Sequence, residues 1–188
     1  MNITAGVDEV GRGALFGPVV AAAVILKPNK AQWLQDQGVV DSKALTPSKR
    51  KRLVSVIQSS VIDAKIGWVS VRQIDQLNIL QASLQAMARA VGRLLPRPTQ
   101  CLVDGNQQIP NLGIEQQAII KGDQLIVEIA AASILAKVWR DELIVRLSHR
   151  YTGYDLASNK GYGSPRHLDG LRVLGPTRYH RRSFKSCQ

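Results

Sequence analysis

Four carboxylates stand where the sequence predicts the interior or the ends of buried strands. Asp8 and Glu9 are adjacent in "GVDEVGRG", Asp104 ends the apolar run "CLVD", and Asp123 follows Lys-Gly. Taken singly, a strand-end aspartate is also explained by a turn cap or a surface ion pair. Asp8 interrupts an otherwise apolar segment, however, and a buried carboxylate without a partner is costly. If the four acids converge, their repulsion favours a hard divalent cation, Mg²⁺ or Mn²⁺, and indicates metal-assisted hydrolysis of a phosphodiester.

The chain is strongly basic. It has 188 residues, of which 45% are hydrophobic, and 25 Lys and Arg against 14 Asp and Glu give a net charge of +11. Length and composition predict one globular domain, residues 1–188, with a sizeable core. From residue 137 onward there are 11 basic and 4 acidic residues, which is +7 of the total. Besides a merely basic surface, this charge is typical of a protein that binds a polyanion, above all a nucleic acid.

The cysteines, histidines and apolar runs exclude several classes of protein. Cys101 and Cys187 make no disulfide framework, which favours a reducing compartment. His149, His167 and His180 lack the spacing of zinc ligands. No apolar run approaches the roughly 20 residues that cross a bilayer, and no signal peptide is recognisable. We therefore expect a cytoplasmic protein without a membrane partner, and we expect a monomer.

The elements that must position the acids follow from hydrophobic periodicity and helix signals. Strands and helices alternate after an initial antiparallel hairpin, which predicts an α/β fold with a mixed central sheet of about five strands flanked by helices. Thr46 and Pro47 begin a helix, the run 130–133 of small residues suits close packing of a helix, and residues 27–45 read as loop. The predicted strands are 3–10, 19–26, 64–71, 99–104 and 117–123, and the predicted helices are 46–61, 71–95, 126–151 and 164–175. Residues 151–188 are expected to form a small basic helical appendage.

Six blocks of the sequence, in order, resemble the bacterial ribonuclease HII family, which belongs to the type 2 ribonucleases H. The blocks are "GVDEVGRG", "DSKAL", "VDGN", "KGD…IAAASILAKVWRD", "NKGYGSPRH" and the tail "HRRSF", and they extend over nearly the whole chain. The resemblance implies a ribonuclease H-like fold. It also implies endonucleolytic cleavage of RNA in RNA–DNA hybrids and at single ribonucleotides embedded in duplex DNA.

The resemblance also implies a set of metal-binding, catalytic acids. Carried over motif by motif, they are Asp8, Glu9, Asp104 and Asp123, with Mg²⁺ or Mn²⁺ as the cofactor. The residues after Asp123, 124–127, depart from the commoner continuation of the motif, Ser-Lys or Ser-Arg. Asp141 in "WRDE" is the alternative fourth acid. Its place well along a helix favours instead a structural partner of a helix Arg or Lys.

The sugar of the ribonucleotide is expected to lie between two glycine-containing motifs. Gly11, Arg12 and Gly13 would present backbone groups to the ribose 2′-hydroxyl, which is both donor and acceptor, and Arg12 would contact a flanking phosphate. The resemblance implies that Tyr162 of "NKGYGSPRH" stacks on that sugar. The alternatives are a simple turn at the glycines and a loop anchor at Tyr162.

Further contacts with the nucleic acid are expected around these motifs. Ser164, before Pro165, would cap the next helix and offer a donor to phosphate. Lys43 of "DSK" would contact a phosphate. Five arginines are expected to track the DNA backbone and to give salt-sensitive affinity: Arg166, Arg172, Arg178, Arg181 and Arg182.

The predicted reaction is attack of water on the phosphorus 5′ to a ribonucleotide, which leaves a 3′-hydroxyl and a 5′-phosphate. Two other interpretations of the same residues are open. Another nuclease of this fold class, such as a junction resolvase, would cut DNA that contains no ribonucleotide. A nucleic-acid-binding module would use the acids only structurally and would cut nothing.

Overall fold

The computed structural model describes residues 3–40, 42 and 45–188, and its centre is a five-stranded mixed sheet. The strands are β1 (Thr4–Val10), β2 (Val19–Leu26), β3 (Val61–Val69), β4 (Gln100–Asp104) and β5 (Glu115–Ile119), in the order β3-β2-β1-β4-β5. β2 is antiparallel to β1 and β3, whereas β4 is parallel to β1 and β5 to β4. The ends of β1, β3, β4 and β5 and the start of β2 therefore meet at one edge of the sheet. The predicted mixed α/β architecture is confirmed.

Helices cover both faces of this sheet. They are α1 (Ala31–Asp36), α2 (Pro47–Ser60), α3 (Val71–Leu77), α4 (Ile79–Val91), α5 (Gly122–Leu125), α6 (Val127–Ser148), α7 (Leu156–Asn159) and α8 (Pro165–Leu174), followed by a 3₁₀ turn at Lys185–Cys187. Alternate residues of the strands face opposite sides, so that Val7 packs with α4 whereas Ala22 packs with α2 and α6. No helix within the described residues is long and apolar enough to cross a membrane.

Helix α6 lies unusually close to strand β1, as its run of small residues predicts. Residues 130–133 are all buried. A Cβ atom on Gly6 of β1 would overlap the backbone of Glu128, so glycine is needed where the two elements cross. This close approach sets the helix directly behind the end of β1, where Asp8 and Glu9 stand.

Some predicted boundaries are wrong. The single helix expected over 71–95 is two helices, because Asn78 has a φ of 71° and its side chain caps α4 by accepting from the Gln81 N–H at 3.1 Å. Helix α1 forms inside the segment predicted as loop, with Leu34 buried against the core. Strand β5 begins and ends earlier than the predicted range 117–123, because the chain turns into α5 at Gly122.

The segment 151–188 is basic and partly helical, as predicted, and it is built into the body of the protein. A hydrophobic cluster, separate from those on the two faces of the sheet, joins this segment to the loop between β1 and β2 and to α6. Its buried members are Leu15, Phe16, Ile144, Tyr154, Leu156, Leu171 and Cys187. Gly17 N–H donates to the Tyr179 carbonyl, and Arg181 N–H donates to the Leu15 carbonyl. The segment therefore supports the loop that follows Asp8 and Glu9.

Candidate active site

The four predicted acids lie at the edge where the parallel strands end. Asp8 and Glu9 are near the end of β1, Asp104 is the last residue of the neighbouring β4, and Asp123 follows in α5. Asp8 is 5% exposed and Asp123 is also buried. The Asp123 N–H approaches the Asp104 Oδ1 at 3.4 Å. The parallel pairing of β1 with β4 thus brings together acids from distant parts of the sequence.

The electrostatics of this edge are repulsive. Burial raises the pKa of Asp8 well above its ordinary value, and the charges of Glu9 and Asp104 raise it further. Hydrogen bonds from the Ser133 hydroxyl and from the Glu9 N–H, 2.7 Å from the Asp8 Oδ1, act in the opposite direction. Burial also raises the pKa of Glu9, against the effect of Arg12, whose Nη1 lies 3.3 Å from the Glu9 Oε1. A cation between these carboxylates would relieve the repulsion.

The donors at this edge suit a hard divalent cation in their chemistry. They are carboxylate oxygens, largely buried, and Asp8, Glu9 and Asp104 interact electrostatically with one another. As the side chains stand, no three His, Cys, Asp or Glu residues within the described ranges are close enough to hold a metal ion. The edge therefore has the ligand type and the charge for a metal, and small side-chain movements would have to complete a coordination shell.

Ser133 is a site residue that the sequence analysis did not single out. Its hydroxyl bonds Asp8 and lies 2.8 Å from the Ser42 Oγ of the "DSKAL" motif. Arg50 supports the same motif, since its Nη1 donates to the carbonyls of Ser42 at 2.6 Å and Leu45 at 2.5 Å. The only indication of Ser133 in the sequence is that it is the one hydroxyl residue at the end of a run of alanines, residues 130–132. The predicted phosphate contact Lys43 lies outside the described residues.

The two glycines of the Gly-Arg-Gly loop have different roles, one in packing and one in leaving the backbone accessible. Gly11 has a φ of 90°, and a Cβ atom there would overlap the Arg140 guanidinium, so this glycine is required by packing. A Cβ on Gly13 would meet nothing within 4 Å, which leaves its backbone open to an approaching ligand. Arg12, with its side chain 50% exposed, pairs with Glu9, and its contact with a phosphate stays a prediction.

Two buried arginines hold this loop from behind. Arg140 donates to the carbonyls of Phe16 at 2.9 Å, Pro18 at 3.1 Å and Lys160 at 2.9 Å. Arg181 donates to the carbonyls of Gly17 at 3.0 Å and Arg12 at 2.8 Å, and its Nη2 has no hydrogen-bond partner within the described residues. Burial lowers the pKa of both guanidinium groups.

The expectation that Arg181 tracks the DNA backbone is wrong, because its side chain is 0% exposed and bonds the loop carbonyls. The other members of that predicted set are exposed. Arg172 pairs with Asp169 at 2.7 Å, and Arg178 Nε donates to the Tyr151 hydroxyl at 3.1 Å. Arg166 and Arg182 are also on the surface.

Tyr162 stands beside the loop, and its ring faces two cations. The Arg140 Cζ lies 5.4 Å and the Lys137 Nζ 5.6 Å from the ring centroid. The ring is partly exposed, unlike a loop anchor buried in the core. Lys137 also pairs with Asp141 at 2.9 Å, so Asp141 has the structural helix partner expected of it. Because Arg140 contacts both Gly11 and Tyr162, the structure brings the two glycine motifs to one place.

Ser164 caps α8, as predicted. Its Oγ accepts from the His167 N–H at 3.3 Å, and the Asn159 Nδ2 also donates to it at 3.3 Å. The cap fixes the turn that follows Tyr162. A contact between Ser164 and a phosphate stays a prediction.

Comparison with known proteins identifies the family. The model of the family described as Ribonuclease HII matches residues 5–187. This chain belongs to the ribonuclease HII family. It is 62% identical to the ribonuclease HII of Acaryochloris marina over 184 residues, which are 98% of this chain and 93% of that protein. It is therefore an endonuclease of the ribonuclease H class, which degrades RNA in RNA–DNA hybrids.

Solved structures agree with this assignment of the fold. The ribonuclease H2 of Pyrococcus horikoshii superimposes with a TM-score of 0.82 at 28% identity, covering 98% of this chain and 95% of that one. Bst-RNase HIII, solved in complex with Mn²⁺, has a TM-score of 0.73 at 19% identity, covering 99% of this chain and 68% of that one, and this likeness concerns the fold alone. The predicted ribonuclease H-like fold is confirmed.

Proposed function

We propose that this ribonuclease HII family member cuts 5′ to single ribonucleotides embedded in duplex DNA, as well as the RNA strand of hybrids. The products would carry a 3′-hydroxyl and a 5′-phosphate. The observation that supports this most is the meeting of three motifs at one sheet edge: the acids, the open backbone at Gly13, and the partly exposed ring of Tyr162.

The acids would hold Mg²⁺ or Mn²⁺ through Asp8, Glu9, Asp104 and Asp123. When bound, such ions supply an activated water and stabilise the charge of the leaving oxygen. Asp8 would be the central ligand, because it is the most confined of the strand acids and interacts with both Glu9 and Asp104. The Ser133 hydroxyl would fix the orientation of the Asp8 carboxylate.

Recognition of the sugar would come from the two glycine motifs. The backbone around Gly11, Arg12 and Gly13 would satisfy the 2′-hydroxyl as both donor and acceptor, and the Tyr162 ring would pack on the ribose. A deoxyribose would leave these groups unpaired, at about 1–3 kcal/mol per group. Losses that arise in the transition state lower the turnover number rather than the affinity.

Affinity for the duplex would be largely electrostatic. The net charge of +11 favours a polyanion, and phosphate contacts are proposed for Arg12, Lys43 and Ser164. These contacts carry no sequence information. We propose that the protein acts in the cytoplasm as a monomer on any sequence that presents a ribonucleotide.

The test is cleavage of a duplex with one ribonucleotide beside an all-DNA duplex of the same sequence, in Mg²⁺ and in Mn²⁺. We expect one nick, on the 5′ side of the ribonucleotide, and comparable binding but no cutting of the all-DNA duplex. Tyr162→Ala should reduce kcat far more than it weakens binding, and Tyr162→Phe should lose much less because it keeps the ring. Cleavage of all-DNA duplex at a similar rate would support a resolvase-like activity instead, and binding without any cleavage would support a binding module.

A further inference from the structure

Two buried histidines lie behind Tyr162, and the proposed chemistry does not use them. His167 in α8 is 0% exposed and His180 in the C-terminal segment is 1% exposed, and their Nε2 atoms are 3.0 Å apart. Each ring nitrogen that faces away from the pair also has a partner. The His167 Nδ1 is 2.8 Å from the Tyr162 carbonyl, and the His180 Nδ1 is 2.9 Å from the Thr177 backbone nitrogen.

These partners fix where the protons lie. The Thr177 N–H can only donate, so the His180 Nδ1 accepts and its Nε2 carries the proton. That Nε2–H donates to the His167 Nε2, which leaves the proton of His167 on Nδ1, where it donates to the Tyr162 carbonyl. The hydrogen bonds therefore run in one direction, from Thr177 to Tyr162. Burial lowers the pKa of both rings, which keeps them neutral as this arrangement requires.

The far end of the pair is firmly held. The His180 ring packs on Phe16 at 5.0 Å and Tyr154 at 4.8 Å between centroids, and residue 180 pairs with Phe16 through an isolated β-bridge. The Tyr162 carbonyl accepts from both the His167 ring and the Ser164 N–H at 2.8 Å, which satisfies its two lone pairs. The tyrosine backbone is thus connected through two imidazoles to the loop that follows Gly-Arg-Gly.

We propose that His167 and His180 are positioning residues that fix the backbone of Tyr162 and so hold its ring at the ribose. This inference rests on the proposed role of Tyr162 in reading the sugar. It assigns the C-terminal segment a part in substrate discrimination beyond its contribution of charge. Neither histidine touches the substrate, because both are buried behind the loop.

A matched pair of substitutions separates positioning from simple packing. The amide of His167→Asn occupies roughly the place of Nδ1 and retains a donor to the Tyr162 carbonyl, but it abandons His180. The amide of His167→Gln reaches roughly the place of Nε2 and keeps an acceptor for His180, but it abandons Tyr162. Each variant loses one hydrogen bond of the pair, and thermal unfolding of both measures the stability lost.

We expect His167→Gln to lower kcat on the single-ribonucleotide duplex about tenfold, the fold-change of one hydrogen bond, with little change in KM. His167→Asn should stay within about twofold of the original kcat, although it loses as much thermal stability. The proposal would be overturned if the two variants lost kcat equally, or if the loss of kcat in each variant were proportional to its loss of thermal stability.

Two further measurements distinguish failure of this proposal from failure of the proposed function. ¹⁵N NMR of the imidazoles should show His167 protonated at Nδ1 and His180 at Nε2, and the opposite tautomers would overturn the assignment. If Tyr162→Ala lowers kcat while His167→Gln does not, the positioning role alone is wrong. If Tyr162→Ala leaves kcat unchanged, the reading of the sugar by Tyr162 is wrong, and the positioning role is overturned with it.

Discussion

The acidic edge and the buried cations behind the glycine loop differ in how their charges are balanced. At the edge, Asp8, Glu9 and Asp104 repel one another, and Arg12 approaches from the solvent side. Behind the loop, Arg140 and Arg181 have no carboxylate at ion-pair distance within the described residues, but they direct five hydrogen bonds at backbone carbonyls. The carboxylates of the first region are suited to binding a cation, whereas the arginines of the second region stabilise the backbone of the chain itself.

This contrast shows how a rigid loop can support a neighbouring site whose carboxylates repel one another. The hydrogen bonds from the two arginines to several carbonyls fix the backbone conformation of the loop without any ligand, so the loop is preorganised. The carboxylates beside it are stabilised only when positive charge arrives. Gly11 joins the two regions, since its backbone continues from β1 and its missing side chain leaves room for Arg140.

The largest expected effect comes from breaking the acidic edge. Asp8→Asn and Asp104→Asn should each reduce cleavage of the single-ribonucleotide duplex by at least about 10²–10³, the loss found when a group that stabilises transition-state charge is removed. Without metal, the same variants should unfold at a higher temperature, because a repulsive charge is gone. A variant that cuts at near the original rate would show that its carboxylate is not a ligand.

The raised pKa of Asp8 makes a related prediction for the metal-free protein. Between the ordinary value near 3.8 and the raised value, the folded state binds more protons than the unfolded state, so the free energy of unfolding falls as pH rises. Asp8→Asn should flatten this dependence. Denaturant titrations at several pH values measure it, and an unchanged slope in Asp8→Asn would mean that another group is responsible.

The next largest effect is expected from breaking the support. Arg140→Met would leave three carbonyls without their donor, at about 1–3 kcal/mol for each buried group, and should destabilise the protein by several kcal/mol with or without metal. Arg172→Met is the matched control, because this arginine is exposed and its one ion pair within the described residues is with Asp169, and such pairs contribute about 0–1 kcal/mol. Equal midpoints in urea for the two variants would contradict the role of Arg140.

A comparison of Asp123 with Asp141 sharpens the boundary of the acidic edge. Asp123→Asn should cause a large but incomplete loss of cleavage, since its backbone N–H contacts Asp104 and it is buried at the same edge. Asp141→Asn should lower stability by about 0.3–0.5 kcal/mol, as for other i,i+4 helix pairs, because it removes the ion pair with Lys137. If the two effects are exchanged, Asp141 is the fourth ligand.

The sequence predicts the acidic edge better than the support behind it. Asp8 and Asp104 are conspicuous because each stands in or ends an apolar strand, and parallel strands end at one edge. The burial of Arg181 beside the exposed Arg182 has no local signal, since the carbonyls that Arg181 binds belong to Arg12 and Gly17. Contacts over such separations along the chain are decided by the packing of whole elements.

Local structure was also unpredictable where the apolar period continues across a break between two helices. The apolar period runs through Asn78 without interruption, from Ile74 to Leu84, so it predicts one helix. The break depends on a positive φ that asparagine tolerates and on the side-chain cap that it supplies to α4. The pairing of His167 with His180 was likewise hidden, because a spacing of 13 residues matches no helical or metal-ligand period.

The smallest expected effect concerns the exposed arginines around the support. Arg182 is on the surface while its backbone N–H is held by Asp75 at 3.2 Å, and Arg166 lies in the first turn of α8 beside Ser164. A phosphate contact contributes about 0.9 to the slope of log affinity against log salt, so Arg166→Ala with Arg182→Ala should reduce that slope by roughly 2.

Lys27→Ala is the control for this double variant. Lys27 follows β2 at the opposite edge of the sheet, where its Nζ donates to the Ser59 carbonyl at 2.8 Å. Removing this charge lowers the net charge without removing a contact near the site, so the slope should stay unchanged. Binding of the all-DNA duplex, measured without cleavage, gives both slopes. If Lys27→Ala flattens the slope as much per charge as the arginine variants do, the chain attracts nucleic acid through its total charge, and the arginines near the loop make no phosphate contact of their own.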